Sequence, residues 1–202
     1  MTATTLSSRQ HAPESEDIPL TVTQIGMIAF LASEVAFFST LIVAYLTFLG
    51  KDTIGPTPAE ALSLRVPLVS TVFLLSSSGA IYLAERGLHS ARPGAFRKWW
   101  ALTILLGAAF LAGTLYEWSE LIGVHRLTIS RNLFGTTFYT LVGFHALHVT
   151  CGIIAMLVLL GLSWRCGLSA TKGGGVELVS WYWHFVDAVW LVVFSVVYWW
   201  GR

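Results

Sequence analysis

The chain has 202 residues, of which 55% are hydrophobic and only 11% charged, with a mean hydropathy of +0.69. Soluble domains carry about 25% charged residues, and a chain this short cannot hide so much apolar surface inside a water-soluble core, so its solvent is lipid. A net charge of +1 excludes the basic stripe that nucleic-acid binding needs, and two cysteines, Cys151 inside an apolar run and Cys166, suggest neither a disulfide framework nor a zinc site.

Residues 1–23 are polar, with Arg9, Glu14, Glu16 and Asp17 and no apolar core of a cleavable signal peptide. They read as a cytoplasmic tail, followed by one membrane domain over 24–202. A helix needs about 20 apolar residues to cross a bilayer. Five stretches qualify: Ile25–Leu49, Val66–Leu83, Trp99–Tyr116, Leu133–Leu162 and Leu178–Trp200. The expected fold is therefore all-α, an integral membrane bundle of five transmembrane helices. The separators agree. Residues 51–65 hold Pro56 and Pro58, residues 85–98 hold four basic side chains, and Gly173-Gly174-Gly175 forms a linker before the last span.

Lysine and arginine in short loops set orientation. Seven fall on the side of the N-terminus (Arg9, Arg86, Arg92, Arg97, Lys98, Arg165, Lys172) and five on the other (Lys51, Arg65, Arg126, Arg131, Arg202). This places the N-terminus in the cytoplasm and the C-terminus outside. Trp99, Trp100, Trp118, Trp181, Trp183, Trp199 and Trp200 fall near span ends and read as headgroup anchors.

Ionisable residues within the hydrocarbon are costly and mark candidate sites. Glu34 lies about nine residues into span one, ~14 Å deep at the rise of an α-helix. Phe30, Leu31, Phe37 and Phe38 surround it at helical spacing and disfavour a charged carboxyl, so a protonated acid, proton-linked or structural, is expected. On span four a stripe of Thr136, Thr140, Gly143, Ala146 and Thr150 permits close helix approach. His145, His148 and Gly152 lie roughly opposite, and two imidazoles against lipid are expensive, which makes this helix central to its own bundle or to a partner contact. His184 and Asp187 stand three apart on span five, within reach of each other. Haem ligation between His148 and His184, or a transport path using Glu34 and Asp187, are readings from other functional classes. Neither has a supporting motif, and no P-loop, nucleophile elbow or internal repeat is visible.

Four ordered blocks resemble subunit III of haem-copper cytochrome c oxidases. GMIAFLASEVAFF of span one is similar to the block around the family's carbodiimide-reactive glutamate, with Glu34 at that position. LYEWSEL, with Glu117 and Trp118, looks like the glutamate-aromatic block at the end of span three. FGTTFYTLVGFHALHVTCG resembles the G-F-H-x-L-H-V signature, with Gly143, His145 and His148. ELVSWYWHFVDAVWLVVFSVVYWWG is the strongest match and contains Glu177, Trp181, Tyr182, His184, Asp187 and Trp190. The resemblance runs from about Gln24 to the C-terminus and is to the five-helix bacterial form, which lacks two helices that wall a lipid-holding cleft in longer members. Thr114 stands where the family often has Gln, and Arg165 lies slightly beyond the place of a headgroup-binding arginine.

The resemblance implies an accessory subunit without redox centres, in the bacterial plasma membrane. Haem and copper would belong to partner subunits, with subunit I the main contact and subunit II and small subunits further neighbours. The chain would hold phospholipid, support proton uptake into subunit I and protect the oxidase during turnover, with no metal and no catalytic residue of its own. Glu117, Trp118, Gly143, Glu177, Trp181, Trp190 and Arg165 are the expected subunit or lipid contacts. A quinol oxidase or nitric oxide reductase accessory subunit is the alternative within the family.

Overall fold

A computed structural model describes residues 20–52, 55–167 and 174–201. Most of the expected N-terminal tail, together with Arg9, Lys172 and Arg202 of the charge argument, lies outside the described residues. Among the described residues six helices follow in order: α1 Val22–Phe48, a single turn α2 Pro58–Ala61, α3 Arg65–His89, α4 Pro93–Gly123, α5 Leu133–Arg165 and α6 Gly175–Phe194. A π-helical turn, Ser195–Trp200, continues α6. All but α2 are long and apolar enough to cross a membrane, as the five apolar stretches predict.

The helices overrun the apolar stretches where these are flanked by charge. α3 continues through Glu85 and Arg86 to His89, and α4 begins at Pro93, six residues before Trp99. Hydropathy reports the thickness of the hydrocarbon, whereas the backbone hydrogen-bond ladder continues into the headgroup layer, where charged side chains are solvated. The separator read over 85–98 shrinks to the tight turn Ser90–Arg92. There the Arg92 N–H bonds Gly87 O and the Ala91 N–H bonds Leu88 O, the paired bonds that end many helices around a left-handed residue. That residue is Ala91, at φ 52°, where a glycine is normally favoured.

The other ends are capped from the sequence outward. Thr21 Oγ1 accepts from the Gln24 N–H while Gln24 Oε1 accepts from the Thr21 N–H, which starts α1. Asn132 caps α5 through the Gly135 N–H, and Asp52, from the loop after α1, accepts from the Leu133 and Phe134 N–H groups at 2.7 and 2.9 Å. A carboxylate at the positive end of a helix is stabilising.

α3 and α4 form a close antiparallel hairpin. α6 packs on α3, α5 and α1, and α5 on α4, α6 and α1, so α5 is central, as its two polar faces predict. α1 is peripheral: of its 27 residues only Phe38 and Tyr45 are buried.

One side chain joins four elements. Trp183 of α6 is fully buried, its ring wedged between Gly107 of α4 and Gly152 of α5. A Cβ at Gly107 would stand 2.7 Å from the ring and one at Gly152 2.8 Å. Its Nε1–H donates to Ser77 Oγ of α3 at 2.8 Å. Trp100 is also fully buried and donates to Met156 O of α5. These two indoles are thus core residues rather than the headgroup anchors that their positions suggested. An indole near a helix end can turn inward when a neighbouring helix supplies both an apolar slot and an acceptor. Trp199 and Trp200, at 81% and 76% exposure, do face outward at the end of the last span.

Two stability measurements follow. Ala91→Gly raises stability by about 0.5–1 kcal/mol, the left-handed cost of a β-carbon less the extra chain entropy of glycine. Gly152→Val lowers it by about 1–3 kcal/mol by forcing the Trp183 ring aside, whereas Gly161→Ala, with nothing within 4 Å of its Cβ, raises it by about 0.5–1 kcal/mol through the smaller chain entropy that alanine loses in a helix. Thermal unfolding of the detergent-solubilised protein followed by tryptophan fluorescence reads all three.

Candidate functional site

The polar groups that the spans carry into the membrane are gathered at helix contacts. Glu34 of α1 meets His148 of α5, with Oε2 and Nε2 3.0 Å apart and side chains 17% and 15% exposed. Glu34 is therefore half-buried rather than enclosed. His148 Nδ1 lies 2.7 Å from Phe144 O. A carbonyl only accepts, so Nδ1 carries hydrogen. Nε2 then either accepts from a protonated Glu34 or, in an imidazolium, donates to its carboxylate, and in both states one proton is shared between the helices. The protonated acid expected at Glu34 corresponds to the first of these. Phe38 stacks edge-on against His148, with centroids 4.9 Å apart. Beside this pair a cavity of about 550 Å³ opens between α1, α5 and α6, lined by Met27, Phe30, Leu147, Cys151, Val179 and Tyr182. The Tyr182 hydroxyl donates to His148 O. Both cysteines are free thiols on the exposed surface of the chain.

His184 and Asp187 share a face of α6 but do not bond each other. Both engage Ser78 of α3: Ser78 Oγ lies 3.0 Å from His184 Nδ1 and donates to Asp187 Oδ2. Asp187 is 3% exposed, and its Oδ1 has no partner among the described residues. A second cavity, of about 500 Å³, lies at this end of α3 and α6, lined by Glu85, His89, Glu177, Trp181 and His184. Glu177 accepts from Gln24 Nε2, tying the starts of α6 and α1.

His145 is fully buried, and neither ring nitrogen has a partner among the described residues. Its ring stacks on Trp190 at 4.8 Å and meets Phe110 edge-on at 5.7 Å. Trp190 donates through Nε1 to Thr71 of α3 at 2.9 Å. The two histidines of the span-four signature thus have different surroundings, one in the core and one at a groove.

Glu117 of α4 is 6% exposed and accepts from the Tyr198 hydroxyl at 2.8 Å. Tyr198 stands on the π-helical turn, the kind of local widening often found at functional positions. Trp118 packs edge-on against Tyr139 and lies 3.7 Å from where a Cβ of Gly143 would be. Glu117, Trp118, Gly143 and Trp190 accordingly make their contacts inside the chain. Arg165 is exposed. Arg97 instead secures the end of α5, through Ser163 Oγ at 3.1 Å and Ser163 O.

His148 and His184 bond different partners at different interfaces, α1–α5 and α3–α6, so the facing pair that haem ligation would require is not assembled. Among the described residues no three His, Cys, Asp or Glu side chains gather as a metal site. Sequence reasoning missed Ser78, Tyr198, Gln24 and Arg97. Ser78 had a signal: a hydroxyl inside an apolar span is best met at a contact with another helix.

Comparison with known proteins accords with this architecture. The family model of cytochrome c oxidase subunit III matches residues 16–202. A cytochrome c oxidase subunit 3 from Thermostichus vulcanus is 35% identical, over 93% of this chain and 90% of its own length. One from Corynebacterium diphtheriae is 38% identical, over 86% of each. A cytochrome bo(3) ubiquinol oxidase subunit 3 from Pseudomonas aeruginosa is 36% identical, over 87% of this chain and 84% of its own. The family-model match takes in all five spanning helices, and the chain belongs to the cytochrome c oxidase subunit III family.

Proposed function

We propose that the chain is the non-redox third subunit of a bacterial respiratory terminal oxidase that takes electrons from cytochrome c, reduces dioxygen and translocates protons. The observation that carries this reading is the family match over 16–202, which includes every spanning helix. In it, haem and copper reside in partner subunits and the chain packs on subunit I, with subunit II and small subunits as further neighbours. The basic turn between α3 and α4 faces the cytoplasm, as does the tail of residues 1–23. The relative named as a ubiquinol oxidase subunit gives the second reading, a quinol-oxidising complex.

The site residues support an accessory role in two ways. Trp190, Gly143, Glu117 and Trp118 fix how α4, α5 and α6 pack, and so shape the outer face that a larger subunit covers. The apolar cavity beside Glu34 and His148 suits an acyl chain, and exposed Arg165 suits a phospholipid headgroup.

Affinity purification of the tagged chain from native membranes in mild detergent tests this reading. The expected product is a complex containing a haem-bearing partner, with a Soret band and oxidase activity. Oxidation of cytochrome c by that complex selects the favoured donor and oxidation of quinol the other, while recovery of the chain alone overturns both. In the same preparation, Glu34→Gln retains the complex, since an amide can still donate to or accept from His148 Nε2. Glu34→Ala leaves that nitrogen without a partner and costs about 1–3 kcal/mol of chain stability, visible as a lower thermal midpoint for subunit retention.

A further inference from the structure

The cavity between α3 and α6 leads to a buried carboxyl through two side chains that can each pass a proton. Glu85, His89, Glu177 and His184 line its mouth at the end of the two helices. His184 is exposed there, its Nδ1 lies 3.0 Å from Ser78 Oγ, and Ser78 in turn bonds Asp187 Oδ2. Asp187 lies one turn deeper on α6, at 3% exposure, with its other oxygen buried and unpartnered among the described residues. His184 on its own helix and Ser78 on α3 are the polar groups bonded to this array, so its hydrogens are strongly constrained. Ser78 has one hydrogen and sits between two groups.

Two arrangements satisfy it. In the first, His184 Nδ1–H donates to Ser78 Oγ and the Ser78 hydroxyl donates to an ionised Asp187. In the second, a protonated Asp187 donates to Ser78 Oγ and the Ser78 hydroxyl donates to an unprotonated Nδ1. These arrangements differ by a shift of two hydrogens along one line, with no heavy atom needing a new partner.

We propose that Asp187 is a proton-exchange site served by this line. A proton from the cavity binds His184 Nε2 and makes an imidazolium. The Nδ1 hydrogen passes to Ser78 Oγ as the Ser78 hydroxyl hydrogen passes to Asp187 Oδ2. The products are a neutral imidazole carrying its hydrogen on Nε2, an intact serine and a neutral carboxylic acid, so one proton has entered and charge balances. Release runs the same steps backwards and needs no ring flip. The inference deepens the reading of the chain as part of a proton-translocating oxidase, but the exchange is a property of the chain and can be measured without its partners.

The test is infrared spectroscopy of the full chain in lipid nanodiscs, following the carboxylic acid C=O band that Asp187→Asn removes. On transfer to D2O this band shifts promptly in the unmodified chain. In Ser78→Ala and in His184→Phe the shift slows by on the order of a hundredfold, the scale of a lost positioned proton-transfer group. Ser78→Thr, which keeps the hydroxyl, restores the rate. Helical circular dichroism checks that each variant folds, and the two disruptive variants act independently, so misfolding of one leaves the other to decide. Exchange at the unmodified rate in either folded disruptive variant overturns the proposal. So does finding no band that depends on Asp187 across the pH range in which the chain stays folded. Failure to co-purify an oxidase would sink the functional reading and leave this measurement standing.

Discussion

The bundle depends on one indole finding both a slot and an acceptor. In lipid there is no hydrophobic drive to bring helices together, so association rests on van der Waals contact and interhelical hydrogen bonds. Trp183 supplies both at once. Gly107 and Gly152 remove the side chains that would hold α4 and α5 away, and Ser77 accepts the indole N–H while donating its own hydrogen to Leu74 O. Trp190 repeats the device one layer further along α6, with His145 as its flat neighbour and Thr71 as its acceptor. Tryptophan is expensive to bury with its N–H unmet, and these placements meet it on α3 both times. The spacing of seven residues between Trp183 and Trp190 keeps both on one face of α6.

With that frame fixed, three carboxyls within the spans pair across helix contacts. Glu34 takes His148, Glu117 takes Tyr198, and Asp187 takes Ser78. Each carboxyl has a partner on a different helix, so each pair also locks the register of two helices. None joins two full charges of opposite sign at fixed protonation, an arrangement that would be costly to desolvate. The carboxyls instead meet groups that share or donate a proton, which leaves them tolerable in oil.

The sequence made the five spans legible because length and hydropathy are local properties, and it flagged Glu34, His148, His184 and Asp187 because charge within an apolar run stands out. The two faces of α5 mark it as central to its own bundle or to a partner contact, and within the chain it packs on α4, α6 and α1. What the sequence could not supply was the pairing. Whether Asp187 turns to His184 on its own helix or to Ser78 on another depends on the rotation of α6 against α3, which no spacing within α6 records. The same holds for Trp100 and Trp183, where position along the helix suggested the headgroup layer and the facing glycine or carbonyl drew the ring inward. At 85–98 charge marks the edge of hydrocarbon, not the end of a helix. Asp52 at the start of α5 was invisible for a related reason: a carboxylate that caps a helix some eighty residues away leaves no local trace.

The placement of α1 has a consequence for biogenesis. This helix packs on α5 and α6, both made after α3 and α4, and buries only Phe38 and Tyr45. A ribosome therefore delivers the first of its permanent neighbours, α5, only after two further crossings, α3 and α4, have been threaded. Until then α1 waits in the bilayer with Glu34 unaccompanied. The order of synthesis and the order of docking therefore differ for this helix.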